Sequence, residues 1–331
     1  MKKLTDPIPL RTSLVWPQYQ VASTLPVVFG DYASVECVPY LNHKDKWLVS
    51  DSVIQAIRSI NHSGVTATLE TTVDAAGHPI SLINLSQTVD QLTAVVAGTV
   101  TDAGELAQRP DQILDYIFNK IAGITKSTSD FDNLRAYAST NGLTFAGVLN
   151  DHTITTQTWI DRLCQGSGLV WSPEITEIAI PWPQEPGNYT ESLNDHDLVS
   201  EVDSDSLITV LNVSFDNEAS SFTLVNTEAL REHGTREGNL ALTWVTSRVV
   251  AEEIATRYLK YYSRPLWTIT GTVEECESEL GSTVNLTDLR LPINLARLKK
   301  RIHRITSQYV EFEAPYGSPG TVTVSSTGSL T

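Results

Sequence analysis

The chain has 331 residues, 41% of them hydrophobic, with 39 acidic and 23 basic side chains and a formal net charge of −16. This length predicts two or three folded domains, and the acidic excess argues against a surface that binds free nucleic acid, because phosphate binding depends on lysine and arginine. The three cysteines are far apart in the sequence, which predicts buried thiols and excludes a disulfide framework, and no run approaches the ~20 apolar residues of a membrane span.

Residues 1–30 are predicted to form an extended N-terminal arm. Four prolines (Pro7, Pro9, Pro17 and Pro26) lie among apolar residues there, and proline disfavours regular elements while favouring an extended chain that lies on another surface. Asp6 and the first two prolines interrupt the N-terminus before any apolar core can form, as a signal peptide would need. We therefore expect synthesis in the cytoplasm, without secretion or anchoring.

Residues 31–106 are predicted to form a β domain. Their apolar residues alternate with polar ones, which is the pattern of half-buried strands. The clearest hairpin has its turn at Asp74 to Pro79, between two alternating segments.

The pattern changes to a helical period over residues 107–186, which we predict to be an α+β domain. Pro110 and Asp111 are typical of a helix N-terminus, and Gly123 of its end. A second helix is expected at about 129–139, with Leu134 and Tyr137 buried, and a third at about 156–165. A strand, a turn and a second strand follow in LVWSPEITEIAIPWP.

Residues 187–206 are polar and acidic and are predicted to be a linker, and residues 317–331 to be a polar C-terminal tail. Between them, residues 207–316 are predicted to form a second β domain with one long helix at about 247–262. Its first strand, Ile208 to Asp216, has its apolar face at Thr209, Leu211, Val213 and Phe215. After a polar loop at 230–239, the helix has an apolar face formed by Val250, Ala251, Ile254, Ala255, Tyr258 and Tyr262.

The search for catalytic or ligand-binding residues predicts none, and no metal or cofactor. Gly166-Ser167-Gly168 lacks the spacing of a nucleophile elbow. Asp195-His196-Asp197 could supply metal ligands, but adjacent loop residues seldom converge on one ion. The acids Glu274, Glu275, Glu277 and Glu279 could supply a glycosidase pair, although acids on one strand more often mark a solvated edge. The seven tryptophans, at 16, 47, 159, 171, 182, 244 and 267, fit core packing better than carbohydrate binding.

A basic cluster leaves two interpretations open. It comprises Arg290, Arg297, Lys299, Lys300, Arg301, His303 and Arg304, and it lies in or beside a predicted strand. It could contact nucleic acid, but a solvated face or a subunit contact that meets acids on a neighbour is favoured.

One series of short motifs resembles the central hub of bacteriophage tail baseplates, a family of trimeric ring proteins. The series is His233-Gly234-Thr235-Arg236, a helix with Ala251 and Ala255, Ser263-Arg264-Pro265, and Gly281, Val284 and Leu286. The segment from Leu25 to Asp31 is similar to the opening of hub-like proteins, and Arg109 to Leu114 resembles a helix that opens the family's second domain.

The resemblance implies an α+β fold, mostly antiparallel β, with tube-like β domains and an inserted α+β domain. It implies a non-enzymatic subunit of a closed ring, with a trimer favoured, located at the virion tail tip. The ring would join the tail tube or distal tail protein to tip, fibre or tape measure proteins, and genomic DNA would pass through without specific binding. An acidic channel wall would prevent DNA from adhering.

Two alternatives stay open. One is a tail-associated protein that binds or degrades glycans, with the acids at 274–279 and the tryptophans as its site. The other is the distal tail ring protein, which is not expected to carry the α+β block.

Overall fold

The computed structural model of the chain describes residues 4, 10, 24–31, 33–40, 43–74, 76–171, 179–181, 189, 191–193, 198–216, 219–278, 281–287, 291, 293, 295–303, 307–316 and 320–329. Most of the arm predicted at 1–30 therefore lies outside the described residues. The chain divides into two compact units. The first unit comprises Met1–Ser167 and Thr243–Val250, and the second comprises Gly168–Leu242 and Ala251–Thr331.

As far as it is described, the first unit combines nine strands with three α-helices. In chain order they are β1 (Val27–Phe29), β2 (Ala33–Glu36), β3 (Val38–Tyr40), β4 (His43–Ser50), β5 (Ile54–Ile60), β6 (Ala67–Val73), β7 (Pro79–Leu85), β8 (Thr93–Thr99), α1 (Pro110–Asp115), α2 (Asp132–Thr140), β9 (Gly147–Leu149) and α3 (Thr156–Gln165). The strands form antiparallel sheets in the orders β2-β8-β5, β3-β4-β7-β6 and β1-β9. Side chains from these sheets share one apolar core that includes Val28, Trp47, Ile54, Ile83 and Val96.

The predicted hairpin is confirmed as β6 and β7, which pair from Ala67 with Leu85 to Val73 with Pro79. The Asp74 carboxylate accepts hydrogen bonds from the backbone N–H groups of Ala76 and His78, and its own N–H donates to the His78 carbonyl. Asp is typical of turns because its side chain can satisfy nearby backbone donors in this way.

Gly30 lies where β1 approaches the chain before β9. Its φ is +75°, and a Cβ atom there would lie 1.9 Å from the Phe145 carbonyl oxygen. Only glycine fits such a backbone contact without displacement. The neighbouring Asp31 carboxylate accepts two hydrogen bonds from Arg58, at 2.8 and 2.9 Å.

The helices predicted after residue 107 are confirmed, with differences in detail. The first is α1 continued by a π-helix, Tyr116–Ala122, which ends at Gly123 with φ +62°. A 3-10 helix, Thr128–Phe131, precedes α2. Tyr137 is only half-buried, whereas Ala138 is buried with Leu134, because residues four apart share a helix face.

The described residues of the second unit form twelve strands and two helices. They are β10 (Leu169–Trp171), β11 (Ala179–Pro181), β12 (Glu191–Leu193), β13 (Val199–Asp203), β14 (Val210–Phe215), β15 (Ser220–Asn226), α4 (Thr227–His233), β16 (Glu237–Leu242), α5 (Arg248–Tyr262, whose first three residues belong to the first unit), β17 (Leu266–Val273), β18 (Thr283–Leu286), β19 (Leu295–His303), β20 (Gln308–Pro315) and β21 (Val322–Ser329). They form a six-stranded sheet, β12-β18-β19-β20-β17-β13, a four-stranded sheet, β16-β14-β15-β21, and the pair β10-β11.

The strand predicted at Ile208 to Asp216 is confirmed as β14. Leu211, Val213 and Phe215 are buried, and the residues between them are half-buried. The prediction of a polar loop over 230–239 was wrong. Helix α4 extends to His233, and strand β16 begins at Glu237. The Asn226 carboxamide oxygen accepts the Ala229 N–H at the start of α4, so a cap supports a helix too short to show a clear period.

The long helix is confirmed as α5, but its buried face differs from the prediction. Val250, Ala251, Ile254 and Ala255 are buried as predicted, whereas Tyr258 and Tyr262 are half-buried. Leu259 and Tyr261 are buried instead, because they lie four and seven residues after Ala255 and Ile254 on the same helix face.

The segments predicted as linker and tail contribute strands. Residues 187–206 contain β12 and β13, which are the two outer strands of the six-stranded sheet. Residues 317–331 contain β21, which pairs with β15. Strands of three to five residues at a sheet edge show little alternation, so composition indicated loops there. The predicted fold class is confirmed, since the fold is α+β with mostly antiparallel sheets.

Candidate functional site

The six-stranded sheet has one apolar face and one polar face. Ile269, Val310 and Phe312 belong to the apolar core of the second unit. Strand residues alternate between faces, so Glu311 and Glu313 project from the opposite face of β20. Glu313 is only 3% exposed, which is unusual for a carboxylate and requires partners.

Two groups contact the Glu313 carboxylate. The buried Tyr261 hydroxyl of α5 donates a hydrogen bond of 3.0 Å, and the Lys299 ammonium of β19 lies 2.8 Å away. Lys299 also lies 3.7 Å from Glu311. This cluster attaches α5 to the polar face of the sheet.

Burial and the Glu313 charge together raise the pKa of the Tyr261 hydroxyl. Burial alone would lower the pKa of Lys299, but the hydrogen bond and charge of Glu313, with Glu311 and Asp203, outweigh it and raise that pKa. Both groups therefore keep their protons at neutral pH, which stabilises the fold and makes neither group a base.

Ser167 and the cysteines are buried. The Ser167 hydroxyl donates to the Leu163 carbonyl, and its side chain is 1% exposed. Burial raises the pKa of the Cys37 thiol to about 12 and also raises that of Cys164. A buried thiol that stays protonated is a poor nucleophile or metal ligand.

The acids at 274–279 do not form a cleft that excludes water. Glu274, Glu275 and Glu277 are exposed in a segment without regular structure, and Glu279 lies outside the described residues. The carboxylate of Glu191 instead accepts the backbone N–H of Ser278 at 2.8 Å. A glycosidase acid normally lies in a partly buried site.

Tryptophans 47, 159 and 244 are buried, and those at 171 and 267 are half-buried. Trp16, Trp182 and the segment Asp195-His196-Asp197 lie outside the described residues, as do Arg290 and Arg304. Within the residues that are described, no group of three metal-ligating side chains is close enough to hold an ion. No described helix combines the length and apolar character that crossing a membrane requires.

The first unit contains an open cleft of about 500 Å³. Its lining includes Asp51, His78, Tyr116 and an ion pair between Lys120 and Asp102, whose charged atoms are 2.8 Å apart. Both members of this pair are half or more exposed, so the pair contributes little energy.

The residues of the motif series from His233 to Leu286 make local contacts. The Thr209 hydroxyl accepts the Arg236 N–H at 2.8 Å and donates to the Gly234 carbonyl at 2.9 Å, which fixes the turn after α4. The Arg264 guanidinium donates to the Lys260 carbonyl at 3.0 Å and so satisfies an acceptor in the last turn of α5.

Sequence reasoning did not find the outer strands of the six-stranded sheet, which are β12 and β13 among the described residues. At one end, β13 pairs with β17 alone among the described strands. Near the other end, β18 pairs with β19 over Leu295 to Arg297, and the Leu298 backbone is hydrogen-bonded to Gly281 and Ser282. Which strand edges remain unpaired depends on strand order, which no local pattern reveals.

No family model matches the sequence, and no curated protein matches it. Among solved structures, a chain from the virion of a native gene transfer agent particle is 11% identical, with a TM-score of 0.55; the match covers 96% of this chain and 88% of that one. The prophage tail protein gp18 from Listeria monocytogenes EGD-e is 14% identical, covers 87% of each chain and has a TM-score of 0.38. A 43 kDa tail protein of prophage MuSo2 from Shewanella oneidensis is 9% identical, with a TM-score of 0.38; the match covers 89% of this chain and 98% of that one.

Proposed function

We propose that this chain is a structural subunit of a phage tail tip or baseplate hub ring. The observation that carries the proposal is the likeness of its fold, over 96% of its length, to a chain of a virion particle. The motif series from His233 to Leu286 supports the hub in particular.

The chemistry of the described side chains supports a structural role. The buried polar groups at Glu313, Tyr261 and Ser167 are satisfied by neighbours within the fold. A reaction site would need a nucleophile, a base and a stabilising group that converge on one cavity. Among the described candidates, Ser167 is buried, whereas Glu274, Glu275 and Glu277 are exposed.

The proposed ring is a trimer located at the virion tail tip. One side contacts the tail tube or distal tail protein, and the other contacts tip, fibre or tape measure proteins. Genomic DNA passes through the channel during ejection. The net charge of −16 favours passage, because an acidic wall repels phosphate and makes no specific contact with it. The segment boundaries predicted from the sequence, including the α+β block at 107–186, remain part of this proposal.

The test is to locate the chain in assembled particles. A gold-labelled antibody against an epitope tag, viewed by electron microscopy, should mark the tail tip. Class averages of the purified chain should show a closed trimeric ring with a central channel. Label on the capsid or along the tail shaft would contradict the hub, and a hexameric ring would favour the distal tail ring protein.

An enzymatic role is tested separately with the purified chain and host cell-wall glycan. We expect no hydrolysis. Hydrolysis that is lost when Glu274, Glu275 and Glu277 are changed to Gln would overturn the structural proposal.

A further inference from the structure

The N-terminal part of the chain contacts helix α3. The Leu4 carbonyl accepts a hydrogen bond of 3.0 Å from the backbone N–H of Gln157, the second residue of α3. The first N–H groups of a helix have no carbonyl partner within the helix, so they need acceptors from elsewhere. The Thr155 hydroxyl supplies one such acceptor, to the N–H of Thr158, and Leu4 supplies another.

The side chain of Leu10 lies in the open cleft of the first unit and is only 7% exposed. Val53, which precedes β5, and Val100, which follows β8, line the same cleft, and so does Ile121 of the π-helix. Removing a leucine side chain from water is strongly favourable. Leu10 therefore shares one apolar cleft with the strands of the first unit and with the helix that continues α1.

We propose that residues 1–23 form an intramolecular strap. Leu10 is the anchor of the strap in the cleft, and the Leu4 carbonyl is its contact with α3. The strap joins the helices of the first unit to its β strands, and it assigns a surface to the arm predicted at residues 1–30. The inference goes beyond the proposed ring and does not depend on it.

Charge complementarity favours this location. The strap contains three basic residues and one acidic residue, whereas the whole chain has a net charge of −16. Arg11 directly follows the anchor, and the cleft is lined by the carboxylates of Asp51 and Asp102, the second of which is paired with Lys120. An apolar residue followed by a base therefore fits a cleft that combines apolar side chains with carboxylates.

The connection between Leu10 and the rest of the chain favours contact within one subunit. The chain reaches the same cleft again at Val27 in β1, 17 positions after Leu10. A connection of this length holds the anchor near the cleft at an effective concentration of about millimolar order. The strap of a second copy, at about micromolar concentration, would compete poorly against it.

Cross-linking tests the position of Leu10. The cleft volume of about 500 Å³ corresponds to a diameter of about 10 Å, so a bismaleimide linker of that reach spans the cleft. In the full-length Leu10→Cys/Val53→Cys variant, the linker should join the two thiols within one chain. A denaturing gel should show the mass of one chain, and mass spectrometry should show the linked peptides. The native cysteines are buried and should not react.

The matched control is Leu10→Cys/Lys44→Cys. Lys44 is exposed near the start of β4, whereas Asp51, directly after the end of β4, lines the cleft. At about 3.3 Å per residue, Lys44 lies about 20 Å from that end of the strand, so the linker should not join the two thiols.

Proteolysis tests the anchor. Trypsin can cleave after Arg11, and cleavage requires the anchor to leave the cleft. Leu10→Asp places a charge at a buried apolar position, so release of the N-terminal peptide should be at least about tenfold faster than in the unaltered chain. Leu10→Ala should act in the same direction to a smaller extent. Val324→Asp, at a 47% exposed position of the second unit, should leave the rate unchanged, and thermal unfolding shows whether each variant is folded.

The outcomes separate the strap from other occupants of the cleft. Linked products with the mass of two chains would show exchange of the strap between copies, and links to another tail protein in particles would show capture by that protein. Either result would overturn the intramolecular strap, as would the absence of a link to Val53→Cys or an unchanged cleavage rate in folded Leu10→Asp and Leu10→Ala. None of these results bears on the tail-tip role, which the gold label on particles decides.

Discussion

The Tyr261 hydroxyl of α5 donates a 3.0 Å hydrogen bond to the Glu313 carboxylate of β20, and both side chains are almost completely buried. A buried carboxylate is costly unless its oxygens are satisfied, so this contact contributes to holding α5 on the sheet.

Tyr261→Phe should lower the free energy of unfolding by about 1.5–3 kcal/mol, the usual contribution of a hydrogen bond to a charged group. Chemical denaturation measures the change. Tyr262→Phe, at a half-buried neighbouring position, is the control and should cost less. Equal losses in the two variants would show that the Glu313 contact is not the source.

Stability should decrease at alkaline pH. The pKa values of Tyr261 and Lys299 are both raised in the folded chain. Their contribution to the free energy of unfolding is therefore complete at pH values below their unfolded pKa values of about 10. It is lost as the pH rises towards and through the pKa values of the folded chain. Denaturation at a series of pH values above about 9 should show this loss. The Tyr261→Phe/Lys299→Met variant should lose less stability over the same interval, and an unchanged slope would contradict the assignment.

Ile254→Asp should cost several kcal/mol, because it places an unpaired charge on the buried face of α5. Glu253→Ala, one residue earlier and exposed, should change stability by no more than about 0.5 kcal/mol. Soluble yield and thermal unfolding measure both effects. Similar behaviour of the two variants would mean that the buried face of α5 is misassigned.

Gly168→Ala should destabilise for two reasons. Its φ is +64°, and a Cβ atom would lie 2.3 Å from Cγ2 of Ile254. Gly123→Ala, with a similar φ of +62° and no atom near the new Cβ, isolates the backbone cost of about 1–2 kcal/mol. The difference between the two free energies of unfolding measures the clash, expected to be about 1–3 kcal/mol. Equal losses of unfolding free energy in the two variants would contradict the expected clash with the Ile254 side chain.

Local periodicity predicted the long elements and missed the short ones. Helix α5 was found because fifteen residues sample four turns, and β6 and β7 because each alternates around a turn. Strands β12 and β13 were interpreted as linker because elements of three and five residues within a mostly polar segment are too short to show a period.

The candidate site was less predictable than the fold. Glu313 lies in an alternating strand, where a charged residue normally indicates solvent, and only the long-range contact with Tyr261 explains its burial. The outer positions of β12 and β13 likewise depend on pairing with strands 63 to 93 residues away in the sequence, which is tertiary information.

The first unit takes its final segment, Thr243–Val250, from a part of the chain that follows Gly168–Leu242 of the second unit. In the folded chain the Trp244 ring lies over Gly147, where an added Cβ atom would come within 2.4 Å of it. During synthesis, Gly147 therefore leaves the ribosome almost one hundred residues before the Trp244 indole does. Co-translational folding of the first unit should be incomplete until then, and a truncated transcript ending near Leu242 should yield a protease-sensitive product even though Met1–Ser167 is fully encoded.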